Sequence, residues 1–271
     1  MFDHHAFYIS DGTAITAETV GHATLSQFEM QIEHVTLPFI ENIEMAKKVV
    51  SRINQIYAAN GKMPLVFYTF VDQQLKEIIE HAKAVCFDVL IPFTSKVELA
   101  LGVTATPKLH RTHSMKTNRY DYRIEAMNYA LANDDGQTMQ NYADADVILV
   151  GVSRSGKTPT SIYLALNYGI KAANYPFIED DMDELTLPAI LKNNKKKLFG
   201  LTIDAKRLAA IRNERYANSK YASLRQCRME LREVERLYRK SKIPFINTTS
   251  FSVEEISAKI MSEMALERFN H

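Results

Sequence analysis

The chain has 271 residues, 46% of them hydrophobic, enough for one large or two ordinary folded domains, which excludes an intrinsically disordered protein. Its net charge is only +1, yet Lys192 to Lys242 holds sixteen Lys/Arg against five Asp/Glu, leaving seventeen against twenty-seven elsewhere, so one segment of local charge +11 is suited to anions. The start Met1-Phe2-Asp3-His4-His5 has no basic and apolar leader pattern, no apolar run reaches membrane-spanning length, and Cys86 and Cys227, the only cysteines, are far apart and in no ligand-like spacing, so neither a disulfide framework nor a zinc site is suggested; a cytosolic protein is expected.

Ala6-Phe7-Tyr8-Ile9-Ser10 reads as a buried first strand, and Asp11-Gly12-Thr13-Ala14 opens a helix running to about Phe28. This corner is rich in small hydroxyl residues. It either holds phosphate on threonine hydroxyls and free N–H groups or is a plain helix start with Asp11 or Thr13 as N-cap. Next come a strand over residues 32–40, a helix over 43–59 stopped by Gly61, a strand over 64–71, a helix over 73–84 and a strand over 87–93. The alternation predicts a parallel sheet covered by helices, an N-terminal Rossmann-like α/β domain over residues 1–104. No G-x-G-x-x-G follows the first strand, so nothing points to a dinucleotide.

Residues 105–144 read as a linker and a helical segment, the helix centred on Tyr120 to Ala130 and ending in Asn133-Asp134-Asp135-Gly136. His110 and His113 are three apart, but no further ligands are spaced to complete a metal site with them. Asp134-Asp135-Gly136 is a turn by composition; its carboxylates could also serve Mg²⁺ or activate a hydroxyl.

The alternation restarts at residue 145 and gives a second α/β domain over residues 145–271. Its first strand, Val147 to Val150, runs into Gly151-Val152-Ser153-Arg154-Ser155-Gly156-Lys157-Thr158, which matches the P-loop pattern G-x-x-x-x-G-K-T, with a helix after it up to Gly169. Such a loop wraps backbone N–H groups around a polyphosphate while the helix start adds positive potential; Lys157 would bridge the terminal phosphates and Thr158 would hold Mg²⁺. Flanked by a strand and a helix, the motif is far more specific than a glycine turn beside a surface lysine.

A strand over residues 172–177 leads to the acidic cluster Glu179-Asp180-Asp181-Met182-Asp183, either a turn or a set of metal and substrate groups. Leu198 to Asp204 is a strand ending in aspartate, as in a Walker B motif. The helix after it carries Arg207, Arg212 and Arg215, and this arrangement is closer to the lid entry of small P-loop kinases, whose arginines stabilise charge on a transferring phosphoryl group. A basic helix over residues 224–240 follows, with Leu224, Met229, Leu231, Val234 and Leu237 as its apolar side and Arg225 and Arg228 nearest the lid. A last strand spans residues 243–249, and a closing helix begins at the capping box Ser252-Val253-Glu254-Glu255.

Tyr8 to Ala14, His110-Arg111-Thr112-His113, Asp134-Asp135-Gly136, Gly151 to Thr160, Ala172 to Phe177, Phe199 to Asp204 and Tyr221 to Cys227 are specific strings. Through them the chain, nearly end to end, resembles the bifunctional regulatory proteins of phosphoenolpyruvate synthase and of pyruvate, phosphate dikinase. The resemblance implies an ADP-dependent serine/threonine protein kinase that inactivates its histidine-phosphorylated target. It also implies a phosphorylase activity in which inorganic phosphate removes that phosphate and leaves as pyrophosphate. ADP, Mg²⁺ and inorganic phosphate are then the expected small molecules. The synthase is the expected partner ahead of the dikinase, and a homodimer is the expected assembly. In that chemistry Gly151 to Thr158 would hold the ADP phosphates, Lys157 would neutralise the transferred one, Asp135 or Asp181, with Asp11 behind them, would act on the threonine hydroxyl, and arginines such as Arg215 would cover the transferred group. Two other readings of the residues remain: an ATP-using small-molecule kinase, and a nucleotide-switched RNA-binding protein, the latter motivated by the basic segment alone because no nucleic-acid module is recognisable.

Overall fold

Strand and helix alternate through a computed structural model that describes residues 2–106, 117–134, 139–178, 181 and 186–267. The chain divides into two compact units, Met1–Met115 and Lys116–His271. The fold is α/β, with a four-stranded parallel sheet in each unit.

In the first unit the strands are β1 (His4–Ser10), β2 (Ile32–Leu37), β3 (Leu65–Thr69) and β4 (Val85–Asp88), in the order β2-β1-β3-β4. Between them run α1 (Ile15–Leu25), α2 (Ile43–Asn60) and α3 (Gln73–Glu80), and α4 (Ile91–Leu101) follows β4. Phe7, Ile9, Val66 and Tyr68 pack against Ala46, Val49 and Ile53 of α2 and Leu75 and Ile79 of α3. Ala6, Tyr8 and Phe67, pointing to the opposite face by the strand alternation, meet Ala17 and Leu25 of α1.

Two local expectations are corrected here. Residues 87–93 are not one strand: Asp88 Oδ1 accepts the N–H of Leu90 and Ile91 at 2.9 and 2.8 Å, the chain turns, and α4 begins at Ile91 with Pro92 in its first turn. Nor does Asp11 or Thr13 cap α1. Ala14 holds the N-cap position at φ 61°, while the buried Asp11 carboxylate accepts the N–H of Val71 at 2.7 Å and of Asp72 at 3.4 Å. Asp11 is therefore committed to the loop after β3.

The second unit contains α5 (Thr117–Ala132), β5 (Val147–Gly151), α6 (Lys157–Tyr168), β6 (Ala172–Pro176), α7 (Ala189–Asn193), β7 (Leu198–Thr202), α8 (Ala205–Arg215), α9 (Leu224–Ser241), β8 (Phe245–Asn247) and α10 (Val253–Glu263). Its sheet order, β6-β5-β7-β8, is that of the first unit, with the earliest strand flanked by the second and third. Every residue of β5 and β7 is buried, as expected for central parallel strands covered on both faces. On one face Ile148, Val150 and Leu198 meet Leu231, Val234 and Leu237 of α9; on the other Leu149, Phe199 and Leu201 meet Leu164 of α6 and Ile256 and Ile260 of α10. Full burial of each such aliphatic side chain is worth about 1.5–3 kcal/mol. Met229 is not on the apolar side of α9; it is 48% exposed, and Cys227 and Tyr238 complete that face. Tyr238 is entirely buried, its hydroxyl 2.8 Å from the carbonyl of Val150 and 3.3 Å from that of Leu201. The expected capping box forms: Ser252 Oγ accepts the Glu255 N–H and Glu255 accepts the Ser252 N–H. None of the described helices is long and apolar enough to cross a membrane.

Candidate active site

The candidate site is the corner where β5 gives way to α6. A Cβ built on Gly151 would lie 2.6 Å from the carbonyl oxygen of Leu201 and 2.7 Å from Ser155 Oγ, so only glycine fits where β5 and β7 approach the loop. The chain turns through Ser153 and Arg154, the latter at φ 73°, and enters α6 from Gly156 at φ 96°, an angle that glycine adopts without cost. Thr248 supports the turn from β8's end, its hydroxyl 3.2 Å from the carbonyl oxygen of Ser155. The first N–H groups of α6 have no partners in the preceding turn of helix and carry the positive end of its dipole.

Lys157, the first residue of α6, is 4% exposed. Its ammonium donates to the carbonyls of Gly151 at 3.1 Å and Val152 at 3.0 Å, which curls the side chain back over the loop. Thr158 donates its hydroxyl to Asp134 Oδ1 at 2.9 Å. The same Asp134 oxygen accepts the side-chain amide of Asn174 on β6.

This arrangement follows from helix packing. Ala126 and Ala130 of α5 meet Ala165 of α6, small residues that let the two helices approach closely. Arg123 near the start of α5 bonds the carbonyl of Leu166 near the end of α6, so the helices run antiparallel and the end of α5 reaches the start of α6. The Asn133 carbonyl then accepts the Asn174 N–H at 3.1 Å, and the buried Tyr142 hydroxyl donates to the Asn174 carbonyl at 3.0 Å. Asp134 is thus anchored through its neighbour and through Asn174. Its role was open in the sequence, and Asn174 was visible there only as part of a family string. Asp135, His110 and His113 lie outside the described residues.

Asp181 stands elsewhere, beyond β6, where Oδ2 accepts the Tyr175 hydroxyl at 2.9 Å and the Ile178 N–H at 3.2 Å. Burial, and then the bond to Asp181, push the Tyr175 phenol above its usual range. Asp204 does not project as a Walker B carboxylate: it is the N-cap of α8, accepting the N–H of Lys206 and Arg207 at 2.9 and 3.2 Å.

Of the three arginines on α8, Arg207 and Arg215 are exposed, and the Arg215 guanidinium lies 5.5 Å from the Tyr216 ring centre. Arg212 is wholly buried. It forks onto Glu230 of α9, Nη1 to Oε1 at 3.1 Å and Nη2 to Oε2 at 2.7 Å, and Nη2 also donates to the Ser153 carbonyl at 3.1 Å. Burial opposes its charge, but the bond with Glu230 outweighs that and raises its pKa above the usual value. Arg212 is therefore a strut between α8, α9 and the loop, not the mobile lid arginine its spacing suggests. Arg225 and Arg228 are exposed on α9.

The corner combines a glycine-gated loop, a lysine over it and a hydroxyl–carboxylate pair at the helix start. A turn of this kind at a helix start is suited by its N–H groups and dipole to a polyphosphate. Among the described residues, no group of three or more His, Cys, Asp or Glu could hold a metal by itself. Thr158 with Asp134 suits Mg²⁺, which takes one or two protein oxygens and completes its shell from phosphate and water. A sequence profile of the kinase/pyrophosphorylase family matches residues 6–261. The chain belongs to the kinase/pyrophosphorylase family.

Curated kinase/pyrophosphorylase relatives match over almost their whole length. A protein of Colwellia psychrerythraea is 60% identical over 266 residues, covering 98% of this chain and 99% of the relative. One from Pseudoalteromonas atlantica is 60% identical over 264 residues, 97% and 98% of the two chains, and one from Shewanella pealeana is 55% identical over 262 residues, 97% of each. All three carry names that provisionally describe them as phosphoenolpyruvate synthase regulatory proteins.

Proposed function

We propose that this kinase/pyrophosphorylase family member regulates phosphoenolpyruvate synthase in the cytoplasm by phosphorylating and dephosphorylating one of its threonines. The observation that carries this reading is the meeting of Thr158 with Asp134 beside Lys157 at the start of α6. The names of the relatives favour the synthase over the dikinase as target.

In the inactivating direction the threonine oxygen attacks the β-phosphorus of ADP, the new O–P bond forms as the bond to the bridging oxygen breaks, and AMP leaves. The threonine proton passes to a carboxylate; Asp135, beside Asp134 in sequence, is the first candidate, and Asp181 the second. Gly151 to Thr158 bind the diphosphate, with Val152, Ser153, Arg154, Ser155 and Gly156 supplying the turn and Lys157 leaving its carbonyl partners to neutralise the transferred group. Thr158 and Asp134 would hold Mg²⁺, and the ion would draw charge off the phosphate oxygens. In the reactivating direction an oxygen of inorganic phosphate attacks the phosphothreonine phosphorus, the threonine oxygen leaves and takes back a proton, and pyrophosphate is released. Arg215 and other exposed arginines of the basic segment offer a landing surface for the acidic phosphorylated target.

The decisive experiment incubates the protein with ADP, Mg²⁺ and synthase carrying phosphate on its catalytic histidine, and follows phosphothreonine by mass spectrometry. Incorporation lost in Lys157→Ala supports the proposal; no incorporation overturns it. A homodimer belongs to the same reading, supported by α4, which buries none of its residues and leaves Phe93, Val97, Leu99 and Leu101 more than half exposed. Sedimentation of the wild-type chain as a monomer would remove that part.

A further inference from the structure

Ser153 is gripped from outside the loop at two points. Arg212 Nη2 donates to its carbonyl oxygen at 3.1 Å, and the Tyr221 hydroxyl donates to its Oγ at 2.9 Å. The two holders are themselves joined. Arg212 Nη1 donates to the Tyr221 carbonyl at 3.1 Å, and its guanidinium carbon lies 4.1 Å from the centre of the Tyr221 ring, close enough for a cation–π contact. Arg212 is in turn fixed by the fork on Glu230, whose Oε1 also accepts the Gln226 side-chain amide at 3.1 Å. Glu230 fixes Arg212, Arg212 fixes Tyr221 by ring and backbone, and both fix Ser153.

A serine hydroxyl has one proton to donate and two lone pairs to accept with. With the Tyr221 proton on one lone pair, the Ser153 proton is left to point elsewhere, and no described residue accepts it. Left alone, a serine in a tight turn bonds its own nearby backbone. We infer that Tyr221, backed by Arg212, is a positioning residue that keeps the Ser153 hydroxyl as a hydrogen-bond donor for phosphate oxygens bound on the Gly151 to Thr158 loop. The inference rests on the phosphate-loop reading above and adds to it a specific residue outside the motif. The segment between α8 and α9 thereby acquires a role, that of setting which donors the loop presents.

The test is a double-mutant cycle on polyphosphate affinity, with Tyr221→Phe, Ser153→Ala and the double variant titrated calorimetrically with ADP–Mg²⁺ and, separately, pyrophosphate–Mg²⁺. Tyr221→Phe keeps the ring under Arg212 and removes only the hydroxyl, so its thermal midpoint stays near the wild-type value. Each single substitution is expected to weaken binding about five-fold, and the double variant no further than either single, because the two side chains act as one donor unit. Equal affinity of Tyr221→Phe and wild type overturns the inference, and so do losses that multiply in the double variant. If wild type binds neither probe, the phosphate-loop reading falls and takes this inference with it; if wild type binds and the cycle is additive, only this inference falls.

Discussion

Thr158 and Asp134 meet across 2.9 Å although twenty-four residues separate them, because α5 runs antiparallel to α6 and delivers its end to the helix start. Removing the hydroxyl should leave the fold nearly intact, since Asp134 keeps Asn174 as a donor. Thr158→Val is expected to cost about 1 kcal/mol of stability. If Thr158 is a Mg²⁺ ligand as proposed, the substitution should lower Mg²⁺-dependent ADP turnover at least about ten-fold and raise the Mg²⁺ requirement. A Mg²⁺ titration of turnover beside a urea melt separates the two effects. Unchanged turnover in a folded variant contradicts the metal assignment.

Lys157→Met tests a different separation. The carbonyls that take the ammonium each have a backbone donor as well, Phe177 N–H for Gly151 at 3.1 Å and Ser155 N–H for Val152 at 3.3 Å. Removing the charge therefore leaves each of these two carbonyls with a donor, and methionine fills much the same volume. Thermal denaturation should shift by only a few degrees while binding of ADP–Mg²⁺ drops by two orders of magnitude or about 3 kcal/mol. A large fall in melting temperature would mean that the lysine's principal role is structural.

The buried Arg212–Glu230 pair makes a prediction about stability. Arg212→Met leaves Glu230 buried with one amide donor and should cost about 3 kcal/mol or more. Arg212→Met with Glu230→Leu should regain most of that loss, because the charge left behind is removed too. The double variant should still bind polyphosphate less well than wild type, having lost the bond to the Ser153 carbonyl. Chemical denaturation and calorimetry on the same three proteins give both answers.

A pH effect is expected from the first unit. The Tyr8 hydroxyl and His34 Nδ1 are 2.5 Å apart, and His22 stacks on His34 at 4.3 Å between ring centres, 3.8 Å from Glu18. Burial and then Glu18 push the Tyr8 phenol up to about 12, so it stays protonated at any working pH. Burial and then His22 lower the His34 pKa, against a smaller opposing pull from Glu18. At His34 the folded state thus binds fewer protons than the unfolded chain, and stability present above the ordinary histidine pKa of about 6.5 is lost as pH falls below it toward and through the lowered folded value. Urea midpoints measured from pH 8 to 5 should decline in wild type and decline less in His34→Gln. Parallel curves would assign the acid sensitivity to other groups.

The parts most legible in the sequence were those with a local physical cause. Gly151 to Thr158 could be placed between a strand and a helix because glycine spacing and apolar runs encode both, and Gly61, Gly169 and the Ser252 capping box marked helix ends for equally local reasons. Residues 87–93 were misread because an apolar run containing Phe87 and Ile91 looks like a buried strand, whereas the Asp88 side chain ends it after four residues. The fate of Arg212 was hidden for a different reason. Arg207, Arg212 and Arg215 look alike in a charge pattern, and only the arrival of Glu230, eighteen residues on, decides which one is buried. Asp134 and Thr158 likewise reveal their pairing only once two helices are packed.

Tyr238 carries one more consequence. Its single hydroxyl reaches the carbonyls of Val150 and Leu201, in adjacent central strands, from a helix whose outer face holds much of the basic segment. Strands β5 and β7 cannot open to solvent without first lifting α9 away from them. Their amide protons should accordingly exchange with deuterium only as fast as the unit unfolds, and those of α4, which buries no side chain, should exchange orders of magnitude sooner. The loop that ends β5 is thus rooted in strands buried on both faces, and a ligand arriving there should shift the side chains above it rather than the ground they stand on.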